Sequence, residues 1–172
     1  TDAGDSWERL VLEGSGVEGH ALCVAQDPVA ESLLFLGTEG GLHVSFDRGV
    51  NWQRWTHGLP SVPVRDLVVH PEWGDLVLGT FGRAAYVVDD LGPLRALAEE
   101  GNAVFAAGLR SFPPRDAFAV SRGRPAGARF PGDPIWEGAN RASGASWMVY
   151  TAPDTAALYG EGDLKAFVVN AL

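Results

Sequence analysis

The 172 residues suffice for one domain of ordinary size or two small ones. Apolar residues make up 46% and charged residues 20%, a core-forming composition that excludes a disordered chain. With 13 basic against 22 acidic residues the net charge is −9, which disfavours nucleic acid and anionic lipid as partners.

The chain opens on the polar, acidic stretch Thr1-Asp2-Ala3-Gly4-Asp5, which predicts no signal peptide at this end. No apolar run along it approaches the roughly 20 residues of a membrane span. Asp2, Gly4 and Trp7 set out a frame, Asp-x-Gly-x-x-Trp, that returns 45 residues later as Asp47, Gly49 and Trp52, now preceded by Ser45. Leu34-Phe35-Leu36-Gly37-Thr38 returns 42 residues later as Leu76-Val77-Leu78-Gly79-Thr80. Asp27-Pro28 has its counterpart 43 residues on, in His70-Pro71. Landmarks in register at this spacing predict a structural repeat.

The repeat is built of strands. Ala21 to Ala25, Leu33 to Leu36, Leu42 to Phe46 and Gln53 to Thr56 are short runs rich in apolar and β-branched residues, bounded by Gly, Pro, Asp or Asn. Val64 to Val69, Leu76 to Leu78 and Ala84 to Val88 repeat the first three. Four short antiparallel strands per unit of this length predict the blade of a β-propeller. The lone Cys23 falls inside the first strand, which excludes an internal disulfide and reads as an inert core thiol.

Beyond the second unit the pattern changes. Asp89 falls at the position of Asp47, but Leu91 and Pro93 displace the turn glycine and its neighbours, and Pro93 opens a predicted helix over Leu94 to Glu100. Ala103 to Ala107 reads as a strand. Leu109 to Ala145 holds five prolines, five glycines and six arginines against three acidic residues and reads as an irregular linker. Trp147 to Thr151 and Leu164 to Val169 read as two further strands. The expected organisation is therefore repeat units over 1–100, a Gly/Pro/Arg-rich linker over 101–145 and the first strands of a second β domain over 146–172.

Each residue of the Asp-x-Gly-x-x-Trp frame has a physical task. The carboxylate accepts hydrogen bonds from backbone N–H groups of the turn it opens. The glycine permits a positive φ that a Cβ would penalise by roughly 1–2 kcal/mol. The tryptophan returns into the blade and is expected to bury between neighbouring sheets. All of these tasks are structural.

Ser45-Phe46-Asp47-Arg48-Gly49-Val50-Asn51-Trp52 resembles the Asp-box, the S-x-D-x-G-x-x-W hairpin of BNR-repeat propellers such as sialidases, xyloglucanases and sortilin-type proteins. The stretch from Phe35 through Asp75 and Thr80-Phe81-Gly82-Arg83 to Asp89-Asp90 resembles the closing blades of a bacterial sortilin-like BNR family often labelled glycosyl hydrolase. That family carries Thr-His-Gly-Arg where this chain has Phe81 in place of histidine. Gly138-Ala139-Asn140 and Gly144-Ala145 resemble the entry to the immunoglobulin-like β-sandwich that follows the propeller there. The resemblance implies an all-β chain holding the last blades of a propeller, a linker and the start of such a sandwich. It also implies that further blades of a longer, secreted or periplasmic protein complete the surface, with a peptide or carbohydrate as ligand.

His70, Thr80, Gly82, Arg83, Tyr86, Asp89 and Asp90 are the candidate ligand or family-motif positions. Glycoside hydrolysis needs two carboxylates facing each other across a cleft, roughly 5–9.5 Å apart. Asp89 and Asp90, adjacent on a stretch read as extended, are expected to point to opposite faces. Arg83 and Tyr86 could belong to a sialidase-like site, but Arg83 reads more simply as a turn residue paired with Asp89 or Asp90, and Tyr86 as a blade aromatic. His20, His43, His57 and His70 show no metal-ligand spacing, and no Gly-rich phosphate loop opens a helix, so no metal and no cofactor is expected. These readings favour a non-catalytic binding or scaffold module. A glycoside hydrolase with its carboxylates in upstream blades is the alternative, and a purely structural cap is a third.

Overall fold

A computed structural model describes residues 4–7, 9, 14–116 and 146–152. Its architecture is antiparallel β-sheet with one α-helix, and among the described residues no helix is long and apolar enough to cross a membrane. The first sheet takes four strands in sequence order, β1 (Ala21–Gln26), β2 (Leu34–Thr38), β3 (Gly41–Ser45) and β4 (Gln53–Arg54). The second takes three, β5 (Val64–Val69), β6 (Leu76–Thr80) and β7 (Ala85–Val88).

The sequence repeat is a repeat in three dimensions. In the first sheet Ala21 pairs with Thr38 and Cys23 with Gly37, so one residue bulges between them; in the second, Val64 pairs with Thr80 and Asp66 with Gly79, with a bulge at the equivalent point. The turns after β1 and β5 also match. The Asp27 N–H donates to the Leu33 carbonyl at 3.0 Å, and the His70 N–H to the Asp75 carbonyl at 2.8 Å. Asp27 Oδ1 accepts the Val29 and Ala30 N–H groups, while His70 Nδ1 accepts that of Trp73 at 3.2 Å. His70 is thus a turn residue, as its pairing with Asp27 in the repeat predicts.

The two sheets meet face to face around one core. Strand alternation sends Phe35, Leu42 and Val44 of the first sheet against Val64, Leu67, Leu76 and Leu78 of the second, all buried. Gly37 makes the approach close: a Cβ there would lie 2.7 Å from the Val64 carbonyl oxygen and 2.4 Å from Cys23 Sγ. The Cys23 thiol donates to the same carbonyl at 3.5 Å, and burial pushes its pKa up, as suits an inert core thiol.

After β7 the chain turns at Asp90, at φ 59°, and enters α1 (Gly92–Glu100), two residues earlier than the predicted start at Leu94. The expected strand at Ala103 to Ala107 is corrected: Gly101–Phe105 is a short 3-10 helix. Within the segment read as linker, β8 (Leu109–Ser111) pairs antiparallel with β9 (Val149–Thr151). Val104, Phe112 and Tyr150 form a small core of their own beneath this ribbon. The readings for Leu164 to Val169 and for Gly138 to Ala145 lie outside the described residues.

Candidate functional site

The turn between β3 and β4, over Ser45 to Trp52, is built as its residues dictate. Ser45 Oγ donates to Asp47 Oδ1 at 2.8 Å and accepts the Gly49 N–H at 2.8 Å. Asp47 Oδ1 accepts the Asn51 N–H at 2.8 Å, and its Oδ2 accepts Asn51 Nδ2 at 2.6 Å. Burial would raise the Asp47 pKa, but these donors outweigh it and hold the carboxyl below its ordinary value. Gly49 takes φ 89°, and Trp52, buried, returns its indole N–H to the Gly49 carbonyl at 2.9 Å.

One expectation about this tryptophan is corrected. Trp52 does not lie between the two sheets; it covers Leu34 and Leu36 on the opposite face of the first sheet, in a separate cluster with Val17. Successive strand residues face opposite ways, so the even-numbered leucines of β2 are turned from the inter-sheet core that Phe35 enters. The earlier frame is only partly described. Gly4 has the positive φ of a box glycine, 96°, but Trp7 is 91% exposed and not buried as its counterpart is, and Asp2 lies outside the described residues.

The other candidate positions separate to the two ends of the second sheet. Thr80, Gly82 and Arg83 belong to the β6–β7 hairpin, where Thr80 Oγ1 donates to the Ala84 carbonyl at 2.5 Å and Gly82 takes φ 86°. Arg83 is exposed there, remote from Asp89 and Asp90, which follow the other end of β7. The arginine that approaches Asp90 is Arg115: its Nε lies 4.0 Å from Asp90 Oδ2, and its Nη1 donates to Asp75 Oδ1 at 2.6 Å. The expected Arg83 pairing is therefore replaced by one that bridges the β5–β6 turn and the segment after β8. Tyr86 packs half-buried against the main core.

Asp89 and Asp90 do not project to opposite faces of an extended strand. The positive φ of Asp90 breaks that geometry: its N–H donates to Asp75 Oδ1 at 2.8 Å, its Oδ1 accepts the Gly92 N–H at 3.1 Å, and both aspartates join one wall of a cavity. This cavity, about 450 Å³, lies where the first sheet, the end of β7 and the helical segment converge. Phe46, Gln53, Trp55 and His57 supply one side, and Pro93, Leu94 and Leu97 of α1 another. Phe105, Phe112, Met148 and Tyr150 close it from the 3-10 helix and the β8–β9 ribbon.

The walls are firmly placed. Trp55 is fixed by its indole N–H to the His57 carbonyl at 2.7 Å, and Phe105 and Tyr150 stack tilted with centroids 4.7 Å apart. α1 is tied to the first sheet by Arg95, which meets the fully buried Asp27 carboxylate through both Nε and Nη2 at 2.9–3.1 Å. Arg110 pairs with Glu100 at 2.5 Å while its guanidinium sits 5.7 Å from the Phe112 ring centroid. Among the described residues, the charged members of the lining are Asp89 and Asp90, and Arg115 stands beside Asp90 as its counter-charge.

Sequence reasoning reached Asp89 and Asp90 but missed the aromatic walls. Their residues run from Phe46 to Tyr150, and no local periodicity connects them. Chemically, the cavity can bury an apolar group, while its two carboxylates stand side by side on one wall, not across a cleft. No three His, Cys, Asp or Glu residues among those described converge into a metal-binding group, and His43 sits buried in β3 with its imidazole pKa pushed down by burial. No protein-family model, curated protein or solved structure matches this chain.

Proposed function

We propose that the chain is the non-catalytic binding and scaffold portion of a sortilin-like BNR-repeat propeller protein, engaging a peptide or glycan. The sheets are blades in this reading, the Asp-box is a rim clasp, and the β8–β9 ribbon leads toward a β-sandwich. The observation that carries the binding role is the aromatic cavity: a preformed apolar concavity with few polar groups is the ordinary form of a ligand site. Side-by-side carboxylates on one wall suit recognition better than the opposed acid and nucleophile of a glycosidase.

The test is a binding and turnover comparison on the purified protein. Intrinsic tryptophan fluorescence, titrated with a capped peptide panel and with oligosaccharides, is expected to saturate. Aryl-glycosides of the same sugars are expected to release no aglycone. Saturable binding with steady aglycone release, abolished by Asp89→Asn, would instead establish the hydrolase alternative.

A further inference from the structure

Resting on the reading of this cavity as a ligand site, we infer that its ligand is an extended peptide that adds to the outer edge of β4 and sets an uncharged apolar side chain into the cavity. The charges of the lining lead there first. Arg115 Nε stands 4.0 Å from Asp90 Oδ2, and Asp89 has a partner of its own. Neither carboxylate is left over for an incoming cation, and among the described lining residues no lysine or arginine meets an incoming anion. A charged group entering these walls would be desolvated without a new counter-charge, which is costly. Trp55, Leu97, Phe105 and Phe112 instead offer contact to an uncharged aromatic or aliphatic body. A sugar would bury most of its hydroxyls against the same walls without partners.

The backbone beside the cavity is the second feature. β4 is the last strand of the first sheet, and among the described residues no strand pairs with its outer edge. Trp55 sends its backbone N–H inward to the Leu42 carbonyl at 2.8 Å, whereas Trp52 sends its own outward to the Ser15 carbonyl at 2.9 Å. These directions alternate along an antiparallel strand, so Arg54 turns its backbone N–H and carbonyl outward, as Trp52 does. Gln53 and Trp55, on either side of it, line the cavity. The Arg54 guanidinium is held elsewhere, by the Gly40 carbonyl at 2.8 Å and Ser61 Oγ at 2.7 Å. Gln53 and Arg54 are both exposed, which leaves this edge open to a partner.

The two features fit one ligand. The Trp52–Ser15 bond is a main-chain contact already made on this edge, and the next outward position along it is Arg54. A peptide whose central residue exchanges both main-chain bonds with Arg54 places the side chains of its neighbours on the face of Gln53 and Trp55, because successive strand residues point to opposite faces. The edge then holds the backbone and the cavity selects the side chain.

Tryptophan fluorescence titrations with Ac-Phe-Ala-Phe-NH2, Ac-Lys-Ala-Lys-NH2 and Ac-Glu-Ala-Glu-NH2, at physiological ionic strength, test the side-chain preference. N-methylated forms of the first peptide test the edge. The phenylalanine peptide is expected to bind about tenfold tighter than either charged one. A methyl on the alanine nitrogen, which faces Arg54, is expected to weaken binding about tenfold, and one on the first phenylalanine nitrogen, which faces away, about twofold at most. A charged peptide that binds as tightly as the phenylalanine one overturns the preference for an uncharged side chain. Equal losses from the two methyl positions, or none from either, overturn the strand pairing. Saturation by oligosaccharides but by none of the peptides overturns the inference as a whole. Each of these three results leaves the ligand site standing, whereas no binding by peptides or oligosaccharides contradicts the site itself.

Discussion

Gly37 lies directly under the Val64 carbonyl, and this contact joins the two repeats. A methyl group at Gly37 would come within 2.7 Å of that oxygen and 2.4 Å of Cys23 Sγ, so β5 must lift away from β2 to admit it. Gly37→Ala is expected to cost about 3 kcal/mol, at the upper end for overpacked cores. The repeat-related Gly79 meets nothing nearer than Asp66 Cβ at 3.5 Å, so Gly79→Ala is expected to be neutral or mildly stabilising. Urea unfolding of the two variants checks the contrast, and equal losses would contradict the close approach of the sheets.

The Ser45–Trp52 turn makes a prediction with a pH signature. Asp47→Ala removes the acceptor for Asn51 and is expected to cost about 1–2 kcal/mol at neutral pH. Because the folded carboxyl has a depressed pKa, its contribution is complete above the unfolded value near 3.9 and is lost as pH falls through the folded one. Stability curves of the parent and Asp47→Ala are therefore expected to run parallel from pH 5 to 7 and to converge in stronger acid.

Arg95 anchors the helix that forms one wall of the cavity. Arg95→Met leaves the Asp27 carboxylate, with no exposed side-chain surface, without its cation, and is expected to cost about 3 kcal/mol in chemical denaturation. Ligand affinity is expected to weaken with it, since Leu94 and Leu97 lose their fixed position. A variant as stable as the parent would show that the Asp27–Arg95 pair is not what seats α1.

The two sheets were legible in the sequence because their strands are short runs rich in apolar and β-branched residues that end at Gly, Pro, Asp or Asn. Val64 to Val69 forms as predicted to the residue, and His70 takes the turn role of Asp27. Ala103 to Ala107 was misread because a short apolar run has no period to separate strand from helix. Gly101 and Gly108, at φ 58° and 68°, bracket it with turns that favour the tight 3-10 coil. The fate of Asp90 was hidden for a different reason. Its left-handed backbone is stabilised by Asp75, fifteen residues earlier in the β5–β6 turn, and no local pattern encodes that contact. The cavity was illegible for the same cause: Trp55, Phe105 and Tyr150 meet only through tertiary packing.

The most direct test of the binding account is to fill the cavity. Leu97→Trp places a large ring into the space from the α1 wall, away from the Asp27–Arg95 pair and from the inter-sheet core. Fluorescence-independent calorimetric titration of this variant with the best ligand of the parent is expected to show no binding, with a melting temperature close to the parent's. Undiminished affinity in a correctly folded Leu97→Trp protein would contradict the claim that this cavity is where the chain meets its ligand.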